Sequence, residues 1–214
     1  MDIKEAIKGR ISVRAFQDKP VAKEVIYDVL DTARWAPSGT NTQPWKVVVA
    51  QGKTKQTISD ALLNAAKNGV KANPDYQYYP KEWVEPFKGR RFQCGMDLYQ
   101  ALDIGREDKE KRTEAALANY RFFDAPDKIM AQGSWFDMGM FVQSVMLALR
   151  GHGLGSCPQA STSDYPDLVR ESLNVSDQYS FICSLSVGYP DNDKAVNQYR
   201  TQREDVDSFT TWAD

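Results

Sequence analysis

The sequence predicts one domain that mixes helices with a sheet. Amphipathic stretches of helical period alternate with short β-branched runs, one helix over 134–149 is apolar around most of its circumference, and 214 residues are enough to bury a core of that kind. Ile3 to Lys8 reads as a short amphipathic helix, and Gly9 permits a turn into Arg10 to Phe16, where apolar and polar residues alternate. A second helix follows Pro20. Its face is Val25, Ile26, Val29, Leu30 and Ala33 within Lys23 to Trp35, and Pro37 closes the segment. Trp45 to Ala50 is a compact β-branched run of the kind that forms a buried strand, and Thr54 to Asn68 is a third amphipathic helix.

The stretch from about Val70 to Asp124 changes character. It opens on DYQYYPKEWVEPF and continues into the charged, helix-prone Arg106 to Tyr120, so it reads as an insertion or lid whose aromatic residues pack among themselves. Lys128 to Ala131 is a short strand. Ser134 to Leu149 is the strongest helix: Ser134 caps it, Asp137 suits its positive end and Gly151 stops it. Its apolar circumference predicts a buried central helix, in which Gln143 is expected to be a satisfied core amide. Gly153 to Pro158 reads as a loop, Asp164 to Leu173 as an amphipathic helix and Phe181 to Val187 as a strand ending at Gly188. The tail from Tyr189 is polar but carries Phe209 and Trp212, which need a surface to lie against.

Composition removes several functions. Cys94, Cys157 and Cys183 are odd in number and far apart, which gives neither a disulfide framework nor a metal-ligand spacing and favours a reducing, cytoplasmic setting. No signal peptide or membrane span is predicted. A formal net charge of −2 argues against a nucleic-acid partner. With one histidine, the chain lacks material for a Ser-His-Asp triad, a Cys-His pair or a zinc site, and no metal is expected. His152, between two glycines at a helix end, is expected to cap that helix. An enzyme of this composition depends on a cofactor for its chemistry.

There is no GxGxxG fingerprint and no P-loop, so a phosphate-bearing cofactor needs basic side chains. Arg10, Ser12 and Arg14 supply them: with period two they project to one side while Ile11 and Val13 face the other, making a fork for a terminal phosphate. Taken alone, the pattern better suits an ordinary amphipathic edge segment. The loop APSGTNTQPW, Ala36 to Trp45, is stiffened by Pro37 and Pro44, has Gly39 for an unusual backbone angle, and presents Ser38, Thr40, Asn41, Thr42 and Gln43 as donors and acceptors for a planar heterocycle. By itself it also suits a helix-to-strand connection built of turn formers.

In order, these motifs resemble the FMN-dependent nitroreductase family, and its nitrobenzoate-reductase-like branch most of all. R-x-S-x-R at Arg10, Ser12 and Arg14 is followed by A-P-S-x-x-N-x-Q-P-W at Ala36 to Trp45, then by D-x-G-x-x-x-Q at Asp137, Gly139 and Gln143. G-L-x-x-C-P-Q at Gly153 to Gln159, G-Y-P-D at Gly188 to Asp191 and N-x-x-R-x-x-R at Asn197, Arg200 and Arg203 complete the series. The resemblance implies an α+β, three-layer fold with a central mixed or antiparallel sheet flanked by helices, in an intertwined homodimer that exchanges C-terminal tails. It implies one domain over 1–214 with the insertion at about 70–124, and FMN as cofactor with NADH or NADPH as donor. Arg10, Ser12 and Arg14 would hold the FMN phosphate and ribityl chain, with Arg200 and Arg203 adding charge. Pro37, Ser38, Asn41 and Gln43 would approach the flavin ring or its polar edge, some of them from the partner subunit. Pro158, Gln159 and Ala160 would flank the ring near N5, and no side chain would be catalytic, since flavin N5 carries the chemistry. The activity implied is ping-pong, two-electron reduction of a small nitroaromatic or quinone-like acceptor. Other reactions on the same scaffold, a flavin-binding module without turnover, and a purely structural dimer are the alternatives.

Overall fold

The computed structural model describes residues 1–125, 127–131 and 135–213, with backbone alone at 127–131. Four strands, β1 (Val47–Gln51), β2 (Asp127–Ala131), β3 (Gly155–Gln159) and β4 (Cys183–Gly188), form an antiparallel sheet in the order β1-β2-β4-β3. Val49 pairs with Ile129, Ile129 with Leu185, and Pro158 with Leu185 on the other side. The segment read as a loop at Gly153 to Pro158 is therefore largely strand. A run containing Gly155 and Pro158 carries little strand signal, and Pro158 is tolerated because β3 lies at the edge of the sheet, where a missing N–H breaks no ladder.

Period two divides the sheet residues between two cores. Val47, Leu185 and Val187 pack with α2 (Lys23–Ala33) and α6 (Trp135–Gly151), through Ile26, Val29, Phe141, Val145 and Leu149. Val48 and Ala50 join the core on the opposite face, made with Ile58 and Leu62 of α3 (Gly52–Lys67), Val169 of α7 (Pro166–Leu173) and Phe122. Helices thus cover both faces, giving the three layers expected of an α+β chain. Each fully buried Leu, Ile or Phe contributes about 1.5–3 kcal/mol. Trp45 lies just outside β1 and stacks on Phe141, ring centroids 4.9 Å apart.

Two expectations about α6 are corrected. It is not buried all round: Phe141, Val145 and Leu149 are in the core, but Trp135 and Phe136 in the first turn are 52% and 78% exposed. Periodicity records where apolar residues lie, and it does not distinguish a core from a face that a second chain could cover. His152 does not cap the helix through its ring; its Nε2 lies 2.8 Å from Asp28 Oδ2 and ties the end of α6 to α2. The expected cap at Ser134 falls outside the described residues.

Within 70–124 lie α4 (Phe87–Ala101) and α5 (Lys109–Leu117), joined to the body by a strap over residues 73–76. Asn73 Nδ2 donates to Asp167, Tyr76 Oη to the Ile182 carbonyl at 2.7 Å, and Arg170 pairs with Asp75. From Tyr76 onward, Tyr78, Tyr79 and Trp83 contact one another in series, the local packing expected of them, while Tyr76 itself packs more closely on Trp135 of α6, ring centroids 4.1 Å apart. The segment returns through Phe122–Asp124, three successive residues at positive φ (60°, 52° and 55°). That left-handed turn is strained for bulky side chains, and it sends Phe122 into the core.

Candidate cofactor site

The site is built on residues 10–16, which follow α1 (Ile3–Gly9) as an extended edge segment with bridges at Ser12 to Ser156 and Phe16 to Pro190. Three connections hold it in place. Val13 N–H donates to the Ser156 carbonyl at 3.0 Å, and Asp191 N–H to Ala15 at 3.0 Å. The buried Asn197 then spans both chains: its Oδ1 accepts from Arg14 N–H, and its Nδ2 donates to the Ala15 and Asp191 carbonyls, each at 2.8 Å. Gly155 lets the segment approach β3, since a Cβ there would lie 2.6 Å from Val13 Cγ2 and 2.9 Å from Pro190 Cγ. Val13 is consequently buried, at 3% exposure, and the polar side of the segment faces a cavity.

That cavity has a volume of about 780 Å³. Arg10, Ser12 and Arg14 line it together with Arg200 and Arg203 from the distant end of the chain, and Lys8 makes a fifth cation. Ile11 also borders it, so the alternation is less strict than period two implies. No carboxylate appears among the described lining residues, and Arg10, Arg14, Arg200 and Arg203 form no ion pair among the described residues. Burial, and after it the charges of Arg203 and Arg200, hold the Arg10 guanidinium below its usual value. Arg200 donates to the Lys8 and Gly9 carbonyls at the end of α1, and Arg203 donates to Thr201 Oγ1 at 2.7 Å. Arg14 donates to the Ser12 carbonyl and to Tyr199 Oη, at 3.3 and 3.2 Å. Burial pushes the Tyr199 phenol up against the opposing pull of Arg14, so it remains protonated near neutral pH.

Cations gathered this closely without counter-charge repel one another, and a polyanion relieves that repulsion. Arginine forks, a serine hydroxyl and a protonated phenol suit a phosphate ester with a polyhydroxylated chain. Beneath the segment, burial raises the Cys157 thiol, opposed by Arg14, Ser12 and Arg10, so this sulfur is a packing group rather than a nucleophile.

The other predicted site residues lie elsewhere. Pro37, Ser38, Asn41 and Gln43 do not line this cavity. Their loop turns on itself: Ser38 Oγ accepts from Gln43 N–H at 3.0 Å, and Gln43 Nε2 donates to the Asn41 carbonyl at 3.3 Å. Gly39 N–H reaches Asp137 Oδ1 at the start of α6, and the unusual angles fall on Thr40, Asn41 and Gln43 rather than on Gly39. Pro158, Gln159 and Ala160 sit at the end of β3; the Gln159 side chain is buried and committed to the Asn119 carbonyl (2.7 Å) and Ser186 Oγ (2.5 Å). Gln143, expected as a core amide, instead borders the basic cavity, as do Cys94 and Tyr199. Tyr199 and Asn197 lie inside the N-x-x-R-x-x-R motif, which was the available signal for them.

The profile of the Nitroreductase family matches residues 7–189. The chain belongs to the nitroreductase family. It is 34% identical over 216 residues to a 4-nitrobenzoate reductase of Pseudomonas putida, covering 98% of this chain and 94% of that protein. It is 34% identical to a chloronitrobenzene nitroreductase of Comamonas testosteroni, covering 98% and 96%. Among solved structures, the FMN and NADPH-dependent nitroreductase NfnB of Sphigopyxis sp. strain HMH superposes with a TM-score of 0.96 at 36% identity, with 100% of both chains covered. NfnB of Mycobacterium smegmatis, solved in complex with NADPH, superposes with a TM-score of 0.93 at 33% identity over 99% and 97%. Like these nitroreductases the chain is α+β, and among its described residues no helix is long and apolar enough to cross a membrane.

Proposed function

We propose that this chain is an FMN-dependent oxidoreductase that uses NADH or NADPH to reduce nitroaromatic or related quinone-like acceptors by a ping-pong, two-electron mechanism in the cytoplasm. The observation that carries the reading is the basic cavity: five cations, with no carboxylate among the described lining residues, brought together from the two ends of the chain. Arg10, Arg200, Arg203 and Ser12 would hold the phosphate, and Arg14 the ribityl chain beside it. FMN, when bound, supplies the two-electron chemistry. The residues of this chain would bind and orient it, with Arg14 supplying positive charge beside the ribityl chain. No side chain is assigned a catalytic proton transfer.

The working unit in this reading is a homodimer. Trp35, Trp135, Phe136, Phe209 and Trp212 are all more than half exposed, which is costly for rings of this size unless a second copy covers them. Pro37, Ser38, Asn41 and Gln43 would then serve the partner's flavin, and the tail carrying Phe209 and Trp212 would lie on the partner. Pro158, Gln159 and Ala160 would flank the ring with backbone groups, since the Gln159 amide is engaged. The 70–124 segment acts as a lid on a single domain.

The test is the ratio of FMN to riboflavin affinity in Arg10→Ala and Arg203→Ala. Each charge-assisted phosphate contact contributes about 1.5–3 kcal/mol, so each variant should bind FMN about 10- to 150-fold more weakly while riboflavin binding is little changed. Equal losses for both ligands, or none, would remove the phosphate assignment.

A further inference from the structure

The side chain of Gln159 reaches from the end of β3 to the return of the 70–124 segment. It is buried, at 3% exposure, and Ser186 Oγ donates to its Oε1 at 2.5 Å, which orients the amide so that Nε2 donates to the Asn119 carbonyl at 2.7 Å. That carbonyl also accepts from Phe122 N–H at 3.0 Å. The Gln159 amide thus meets the bond that closes the turn into Phe122–Asp124, the three successive residues in the left-handed region. Bulky side chains stay in that region only where their surroundings over-determine it. Here Phe122 is in the core, Tyr120 Oη donates to Asp164 Oδ2 at 3.0 Å, and on the outer side Arg121 binds Glu114 at 2.7 Å. Gln159 supplies the hold from within, where water does not replace a lost hydrogen bond.

The next residue of the turn, Phe123, is half-buried, and its ring centroid lies 5.9 Å from the guanidinium carbon of Arg14, within cation–π reach. The other two contacts of that guanidinium are long, 3.3 Å to the Ser12 carbonyl and 3.2 Å to Tyr199 Oη. Arg14 therefore leans on a ring whose place is set by a strained turn, and the turn is tied in its turn to a buried amide. The connection from Gln159 Nε2 through the Asn119 carbonyl and the Phe122–Phe123 backbone to Arg14 is unbroken.

We propose that Gln159 is a positioning residue: by anchoring the left-handed turn it holds the Phe123 ring against Arg14, and so fixes the guanidinium that stands beside the ribityl chain. The inference rests on the proposed function for the identity of the ligand. It gives the amide a part that direct contact with a flavin ring would not allow, since both of its ends are already engaged.

The experiment centres on Gln159→Leu, which keeps the bulk of the side chain and removes both hydrogen bonds. In the flavin-free chain the Phe122 and Phe123 amides should exchange hydrogen about tenfold faster than in wild type. In fluorescence titrations FMN and riboflavin should each bind about 2- to 5-fold more weakly, and by the same factor, because the ribityl chain beside Arg14 is common to both. In a Phe123→Leu background Gln159→Leu should cost no further affinity, the mark of two residues acting through one contact. A purely structural role, or a direct effect through the backbone of residues 158–160, gives additive losses instead. Additive losses, or unchanged flavin affinity in folded Gln159→Leu, would overturn the proposal. Should Gln159→Leu misfold, Ser186→Ala, which frees the other end of the amide, should show the same dependence on Phe123. If the wild-type chain took up no flavin, the proposed function would fail, and the side-chain Nε–Hε signal of Arg14 in the flavin-free chain, followed by NMR, would still decide the inference. Gln159→Leu should move that signal in the same direction as Phe123→Leu does, and an unmoved signal would overturn it.

Discussion

Replacing Asn197 with alanine should both destabilise the fold and loosen the cofactor site, because one buried amide ties the site segment to the loop after β4. The side chain makes three neutral hydrogen bonds at 2.8 Å, to Arg14 N–H and to the Ala15 and Asp191 carbonyls. At about 0.5–1.5 kcal/mol net for each, with a backbone donor left unmatched, the loss should be about 2–4 kcal/mol. For a chain of this size that lowers the thermal midpoint by roughly 5–15 °C. Urea unfolding followed by tryptophan fluorescence at fixed protein concentration measures it, with the slope checked against wild type. FMN affinity should fall as well, although Asn197 is absent from the cavity lining, because Arg14 loses its backbone anchor. Asn197→Asp should be no milder, since it sets carboxylate oxygen against two carbonyls. A loss below about 0.5 kcal/mol, the usual size for a surface change, would refute the clamp.

Gly155→Ala should be destabilising by about 1–3 kcal/mol, because the added Cβ meets Val13 and Pro190 within 3.0 Å and neither side chain is flexible; chemical denaturation reads this, and a neutral result would contradict the close approach. Alkali should weaken the fold through two groups desolvated beside β4. Tyr76 is pushed up from 10.0 to about 12, and Cys183 from 9.0 to about 12. Above those ordinary values the unfolded chain releases protons that the folded chain retains, so stability falls as pH rises from about 9 to 12. The Tyr76→Phe, Cys183→Ala double variant should lose less stability across that window than wild type, and parallel pH profiles would contradict the assignment.

Much of this architecture was legible in the residues because the relevant signals are local. Period two placed Arg10, Ser12 and Arg14 on one side of an extended segment, and helical spacing located α2, α3 and α6 to within a few residues at most ends. What was not legible depended on partners distant in sequence. Gly155 and Pro158 look like turn residues, and only the neighbouring β4 makes them an edge strand. The expected lid helix began near Arg106, whereas α4 already spans Phe87–Ala101; Pro86, Gly89 and Gly95 and a weak apolar face mask it. His152 looked like a cap because Asp28, its actual partner, is 124 positions away. The gathering of Arg10, Arg14, Arg200 and Arg203 was foreseen, but Lys8, Gln143, Tyr199 and the Asn197 clamp required the two ends of the chain to be seen side by side.

The most direct test of the central claim is the visible absorption spectrum of the purified protein, reconstituted with FMN and recorded without oxygen before and after NADPH or NADH. The account predicts a stoichiometric flavin spectrum that one of the two donors bleaches and that 4-nitrobenzoate restores. A protein that cannot take up FMN, or whose bound flavin neither nucleotide reduces, would contradict it.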